Sequence, residues 1–336
     1  MNNIPAVHVG IGEDNCSNLE RNAPVKSVPM NGTTSTARES IPATPVLDVA
    51  PLRFDALLPP EMAAKAEIIG VNKALMRHRN TFLLAVLAGA FVALGALFSA
   101  TSMAGATDYL PYGLIRVIGG LTFCLALILI VVAGAELFTG NNLIIMAWAD
   151  RRISFAQVLR NWLIVYVGNF VGSIATVALI FVGRQYTFGQ GIVGATLLTI
   201  GESKSSLDFT QAIALGILCN GLVCLAVWLC YSARTTTDKI LAILFPITGF
   251  ATAGFEHSIA NMFFIPMALF IKQGADGSFW AAIAASPADF PNLTWANFWI
   301  ANLLPVTIGN IIGGSLMVGI VYWFIHIRKS EPRPAT

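Results

Sequence analysis

Two apolar stretches of the sequence share the skeleton AGxExxxxN, AGAELFTGN over 133–141 and AGFEHSIAN over 253–261. Glycine, an acid and an asparagine are costly or disruptive at bilayer depth, so placing them there twice points to a permeation site. The second copy adds His257, the one histidine inside an apolar stretch, since His8, His78 and His326 fall in or near polar ends. Desolvation opposes a charged imidazole there while an arriving anion favours it, so anion and proton help each other in. A single histidine makes no metal site, and nothing else stands at ligand spacing. No cofactor is expected. Thr139, three residues after Glu136, offers a hydroxyl that donates to an anion, accepts from a histidine, or simply bonds its own backbone.

Glu136 and Glu256 are the acids of the two stretches, read as structural clamps that cap half-helix starts, with Asn141 and Asn261 as their structural companions. Asn220 and Asn310 are intramembrane amides that orient the imidazole, meet a passing anion, or act as interhelical glue. Phe123, Leu127, Leu137 and Phe250 flank the breaks, either as core packing or as constrictions that exclude water. Lys204, on the outer side after the third span, either concentrates anions at the mouth or is a solvated surface charge.

Six apolar segments are positioned to hold these residues, at 81–103, 113–148, 157–183, 207–231, 240–273 and 296–326. The second and fifth are too long for one helix and carry the duplicated skeleton, so each is expected as two half-helices broken at the glutamate. NWL through GNFVG in the third segment matches NLL through GNIIG in the sixth, pairing spans one to three with four to six. Three is an odd number, so the second copy enters from the opposite face as an inverted 3+3 repeat. Residues 329–336 are expected as a cytoplasmic tail, 79–328 as the transmembrane transporter domain, and 49–78 as an amphipathic helix along the membrane, its helical stretch spanning 54–76. Residues 1–48, polar and with no apolar core of signal-peptide length, are expected as a disordered cytoplasmic tail.

Of 336 residues, 56% are hydrophobic and 11% charged, which marks an all-α, multi-span membrane protein. The net charge of +2 implies no basic surface, and nucleic acid is set aside as a partner. Lys73, Arg77, Arg79, Arg151, Arg152, Arg234, Lys239, Arg328 and Lys329 flank one face while Arg184, Lys204 and Lys272 lie on the other, which puts both termini in the cytoplasm. Four of the five cysteines lie in apolar segments, so neither a disulfide framework nor a zinc site is suggested.

With GAELFTGN, NWLIVYVGN, GFEHSIANM and NLLPVTIGNIIGG in view, the chain resembles the formate/nitrite transporter family over about 54–328. The resemblance implies an aquaporin-like fold of six spans with broken second and fifth helices, assembled as a homopentamer in a bacterial inner membrane with a pore in each protomer. It further implies that His257, Thr139, Asn220 and Asn310 line the pore, that Phe123, Leu127, Leu137 and Phe250 constrict it, and that Lys204 guards the outer mouth. CLAVWLCYSARTTTDK and GFEHSIANMFFIPMALFIK look most like formate channels, so formate is the expected anion; GAELFTGN looks closer to nitrite and hydrosulfide members. The alternatives are thus nitrite or hydrosulfide transport, an aquaporin-type pore, for which Asn-Pro-Ala signatures are absent, and a membrane-embedded enzyme, for which the second histidine of metal or haem chemistry is absent.

Overall fold

The computed structural model of the protein describes residues 55–107 and 109–328, and the tails expected at 1–48 and 329–336 lie outside them. The described chain is helical throughout. Helix α1 (Pro59–Leu75) starts five residues later than the sequence suggests, at the Pro59-Pro60 pair whose missing N–H groups cost nothing in a first turn. It packs on the protein as well as having a polar side: Met62, Ala63, Ala66, Gly70 and Ala74 are buried. A Cβ at Gly70 would stand 3.2 Å from the Cβ of Ala147, so the two backbones run close.

Among the described residues, five helices are long and apolar enough to cross a membrane: α2 (His78–Met103), α3 (Tyr112–Gly134), α5 (Phe155–Val182), α7 (Phe209–Ser232) and α11 (Asn297–His326). The sixth span is a bent pair, α8 (Thr236–Ala253) and α9 (Ser258–Gly274), which meet at 50°. α3 ends at Gly134, short of the expected segment 113–148, and after the break the chain resumes as α4, a tight turn over Gly140–Ile144 leading into the helix Ile145–Ala149. Both breaks fall at the glutamates, as the duplicated skeleton suggests.

The connections hold more structure than the sequence reading assigns them. Residues Ile192–Ser205, expected as a loop, form helix α6, which packs along α9; a short helix α10 (Gly277–Ala282) follows α9. Buried along most of its length among α2, α5, α6 and α11, α9 is the central shaft of the protomer.

Small residues set how closely the spans approach. A Cβ at Gly172 of α5 would fall 1.9 Å from the carbonyl oxygen of Val86 in α2, and one at Gly313 of α11 would fall 2.1 Å from that of Ile217 in α7. These glycines of the third and sixth spans therefore serve contacts within the chain, a similar crossing made once in each half.

Candidate functional site

Each break begins with a glycine in the left-handed region, Gly134 at φ 83° and Gly254 at φ 76°, which ends the preceding half-helix. The chain then extends, and its freed backbone groups are satisfied from neighbouring spans, as a low-dielectric setting demands. Glu136 N–H donates to Leu84 O and Glu256 N–H to Leu215 O. Asn169 and Asn310 do equivalent work. Asn169 Oδ1 accepts from Phe138 N–H at 3.0 Å while its amide donates to Ala85 O and Glu136 O. Asn310 Oδ1 accepts from Ser258 N–H at 2.9 Å while its amide donates to Gly216 O and Glu256 O.

The glutamates do not cap half-helices as the sequence reading has it; each carboxylate is taken by a lysine and an asparagine instead. Lys73 Nζ lies 2.6 Å from Glu136 Oε1 and Lys204 Nζ 2.7 Å from Glu256 Oε1. Asn141 donates to Glu136 Oε2 and Asn161 Oδ1; Asn261 donates to Glu256 Oε2 and Asn302 Oδ1. A buried carboxylate prefers a full counter-charge to a backbone N–H, because an unpaired charge there costs several kcal/mol. Lys204 is consequently no free mouth cation, and Lys73, which the sequence reading treats only as a flanking charge, is its counterpart in the other half. The matching asparagines in the third and sixth spans were the legible signal; the lysines had no fixed spacing to reveal them.

His257 and Thr139, 118 residues apart in sequence, are hydrogen-bonded: Nε2 and Oγ1 stand 3.0 Å apart, both residues buried. The other ring nitrogen, Nδ1, accepts from Ala260 N–H at 3.0 Å, which makes His257 the cap of α9. An acceptor at Nδ1 places the proton of the neutral ring on Nε2, which donates to Thr139 and leaves the threonine's own hydrogen to point elsewhere. Ser258 N–H is already bound to Asn310, so the start of α9 offers few open N–H groups. Neither Asn220 nor Asn310 donates to the ring. Asn220 binds Thr139 O, Asn142 Oδ1 and Asn310 O, bracing the backbone around the pair.

Two cavities lie near this pair, of which His257 lines one and Thr139 neither. One, of about 390 Å³, is lined by Lys65, Lys73 and Lys239 and closes on Leu127, Ile130 and Leu137. The other, of about 580 Å³, is lined by Arg116, Ser203 and Lys204 and closes on Phe123, Phe250 and His257. Between them is a narrow gap of about 10 Å³ bounded by Leu127, Ile130 and Leu137 on one side and Phe123, Phe250 and His257 on the other. Phe250 makes an edge contact with Phe123 at 5.7 Å between centroids and lies nearly parallel to the His257 ring at 5.9 Å. All four apolar side chains singled out from the sequence thus border the gap, together with Ile130, which no motif marks.

The sequence profile of formate/nitrite transporters matches residues 60–324. The chain is 45% identical to the formate channel FocA of Escherichia coli K12 across 83% of its own length and 97% of the relative's, and 39% identical to FocA of Haemophilus influenzae across 79% and 93%. A solved structure described as a pentameric formate channel with formate bound superposes with a TM-score of 0.71 at 45% identity, covering 75% of this chain and 98% of the other. Six spans, two breaks and a profile match over nearly the whole described chain agree: the protein belongs to the formate/nitrite transporter family.

Proposed function

We propose that the protein passes formate across the membrane through each protomer, along the two cavities and the gap between them. The observation that carries this reading is the placement of His257, held by Thr139, on the wall of both the wider cavity and the gap, beside apolar side chains. A hydrated ion does not fit a gap of about 10 Å³ edged by Leu127, Leu137, Phe123 and Phe250. An anion that enters sheds water, and His257 Nε2–H offsets part of that cost by exchanging its bond to Thr139 Oγ1 for one to the anion. The geometry makes the resting histidine a neutral hydrogen-bond donor, because a second proton on Nδ1 would face the Ala260 N–H. Proton gain requires the first turn of α9 to release its cap.

The names of the similar channels support formate as the anion, and the neighbour's pentameric assembly supports the same assembly here. The matched hydrogen-bond sets of the two breaks support an inverted repeat, with α1 added to the first half and α6 to the second. The bias of Lys and Arg toward the α1 side supports cytoplasmic termini in a bacterial inner membrane.

Flux into proteoliposomes decides the reading. Formate moves faster into vesicles holding the protein than into empty ones, and Phe250→Ala, which widens the gap, admits larger carboxylates such as lactate. No formate flux above the empty-vesicle rate for the wild type overturns it.

A further inference from the structure

Arg116 of α3 lines the wider cavity and takes no part in the site described so far. Its Nη2 donates to Ala251 O at 2.6 Å and its Nε to Thr252 O at 3.3 Å, so the guanidinium lies across the open carbonyl end of α8. The hold is mutual, since the Thr252 hydroxyl donates to Arg116 O. A Cβ at Gly254 would meet Arg116 Nη2 at 3.5 Å, which sets the charge beside the break itself. Phe250, part of the apolar ring, belongs to the same last turn of α8.

Two negative features face an anion entering this cavity: the Glu256 carboxylate and the carbonyl end of α8. Lys204 neutralises the first by direct pairing. Arg116 covers the second, and it does so with carbonyl dipoles rather than a carboxylate; among the described residues it has no acidic partner. Most of its charge is therefore unspent, and its Nη1 makes no hydrogen bond among the described residues. At the other break no side chain comes as close, for a Cβ at Gly134, where α3 ends, would meet nothing within 4 Å; the lysine of that cavity that rests on a helix's carbonyl end, Lys65, does so on Tyr231 O of α7, away from the break.

We propose that Arg116 is the capture site for a small monovalent anion in the wider cavity, holding it before it passes Phe250, and that the same side chain positions Phe250 by clamping the end of α8. The proposal rests on the transport reading above and adds a binding step in the wider cavity. Arg suits both tasks, because its planar fork binds carbonyls through Nε and Nη2 while the remaining N–H groups address an anion.

The test pairs formate flux with anomalous diffraction from crystals soaked in bromide, comparing wild type with Arg116→Gln and Arg116→Lys, each first shown to keep the wild-type assembly by size-exclusion elution. In the wild type a bromide peak lies against Arg116 in the cavity, and it is lost in Arg116→Gln. The glutamine variant raises the formate concentration for half-maximal flux about fivefold or more, with maximal flux far less affected. Arg116→Lys keeps the charge but not the fork, and brings half-saturation back toward wild type; a purely structural role would leave lysine as poor as glutamine. An absent wild-type peak, a peak unchanged in Arg116→Gln, or a half-saturation within twofold of wild type overturns the proposal. Absence of formate flux in the wild type sinks the transport reading instead, and the bromide maps then decide Arg116 alone.

Discussion

His257 and Thr139 form a buried pair whose polarity is fixed from outside it: because Nδ1 of the ring accepts the Ala260 N–H, Nε2 carries the hydrogen that reaches Thr139 Oγ1. One side chain thus caps a half-helix with one nitrogen and holds Thr139 with the other, while its ring borders the wider cavity and the gap. The two roles separate in a pair of substitutions. His257→Asn keeps a good capping group and removes the Nε2–H, so stability stays near wild type while formate flux falls about tenfold or more, the worth of roughly 1.5 kcal/mol for one hydrogen bond to a charged group. His257→Ala loses both, with a further destabilisation of about 1 kcal/mol. Equal thermal midpoints for the two variants would remove the capping role.

Glu256 is 3% exposed, so its partner matters more than a surface ion pair would. Lys204→Met leaves the carboxylate uncompensated and destabilises by about 3 to 5 kcal/mol, whereas adding Glu256→Gln recovers much of the loss. Lys73→Met and Glu136→Gln behave the same way in the other half. Thermal unfolding of the purified protein gives the coupling, and additive single and double effects would count against a structural pair.

The crossings of α2 with α5 and of α7 with α11 tolerate no side chain at their tightest points. Gly172→Ala puts a Cβ 1.9 Å from Val86 O and costs about 3 kcal/mol or more. Gly221→Ala, in α7 with nothing within 4 Å, is the control and gains up to about 1 kcal/mol from helix propensity. Yield of folded protein and its thermal midpoint rank the two; similar values would mean the crossing is looser than the structure shows.

Asp276 lies in the connection after α9, beyond the span. The Ser278 hydroxyl, the Phe279 N–H and Arg184 hold its carboxyl down to about 2. A lowered acid contributes stability that is fully present above the unfolded carboxylate range, near 4, and is lost as pH falls toward the folded value. A carboxyl ¹³C titration therefore shows Asp276 still ionised at pH 4 and titrating near 2, and Ser278→Ala moves the midpoint upward. A midpoint near 4 in the wild type would contradict the hydrogen-bond set.

Composition and the duplicated skeleton determined a great deal on their own: six apolar spans, two of them broken at Glu136 and Glu256, and a second half built like the first. These are legible because they are local, written as hydropathy over some twenty residues and as glycine and acid where a helix must stop. His257 and Thr139 were visible as the difference between the two copies. Their partnership was decided only by tertiary structure, since a contact between the second and fifth spans leaves no spacing in the chain. The same holds for the glutamates, read from sequence as caps and found paired with Lys73 and Lys204 from helices whose docking no pattern records. Arg116 also acquires its meaning from a distant carbonyl end. Local chemistry marked where the helices break; which charge reaches each break was settled by packing, because a buried carboxylate or an open helix end takes whatever counter-charge the fold brings within a few ångströms.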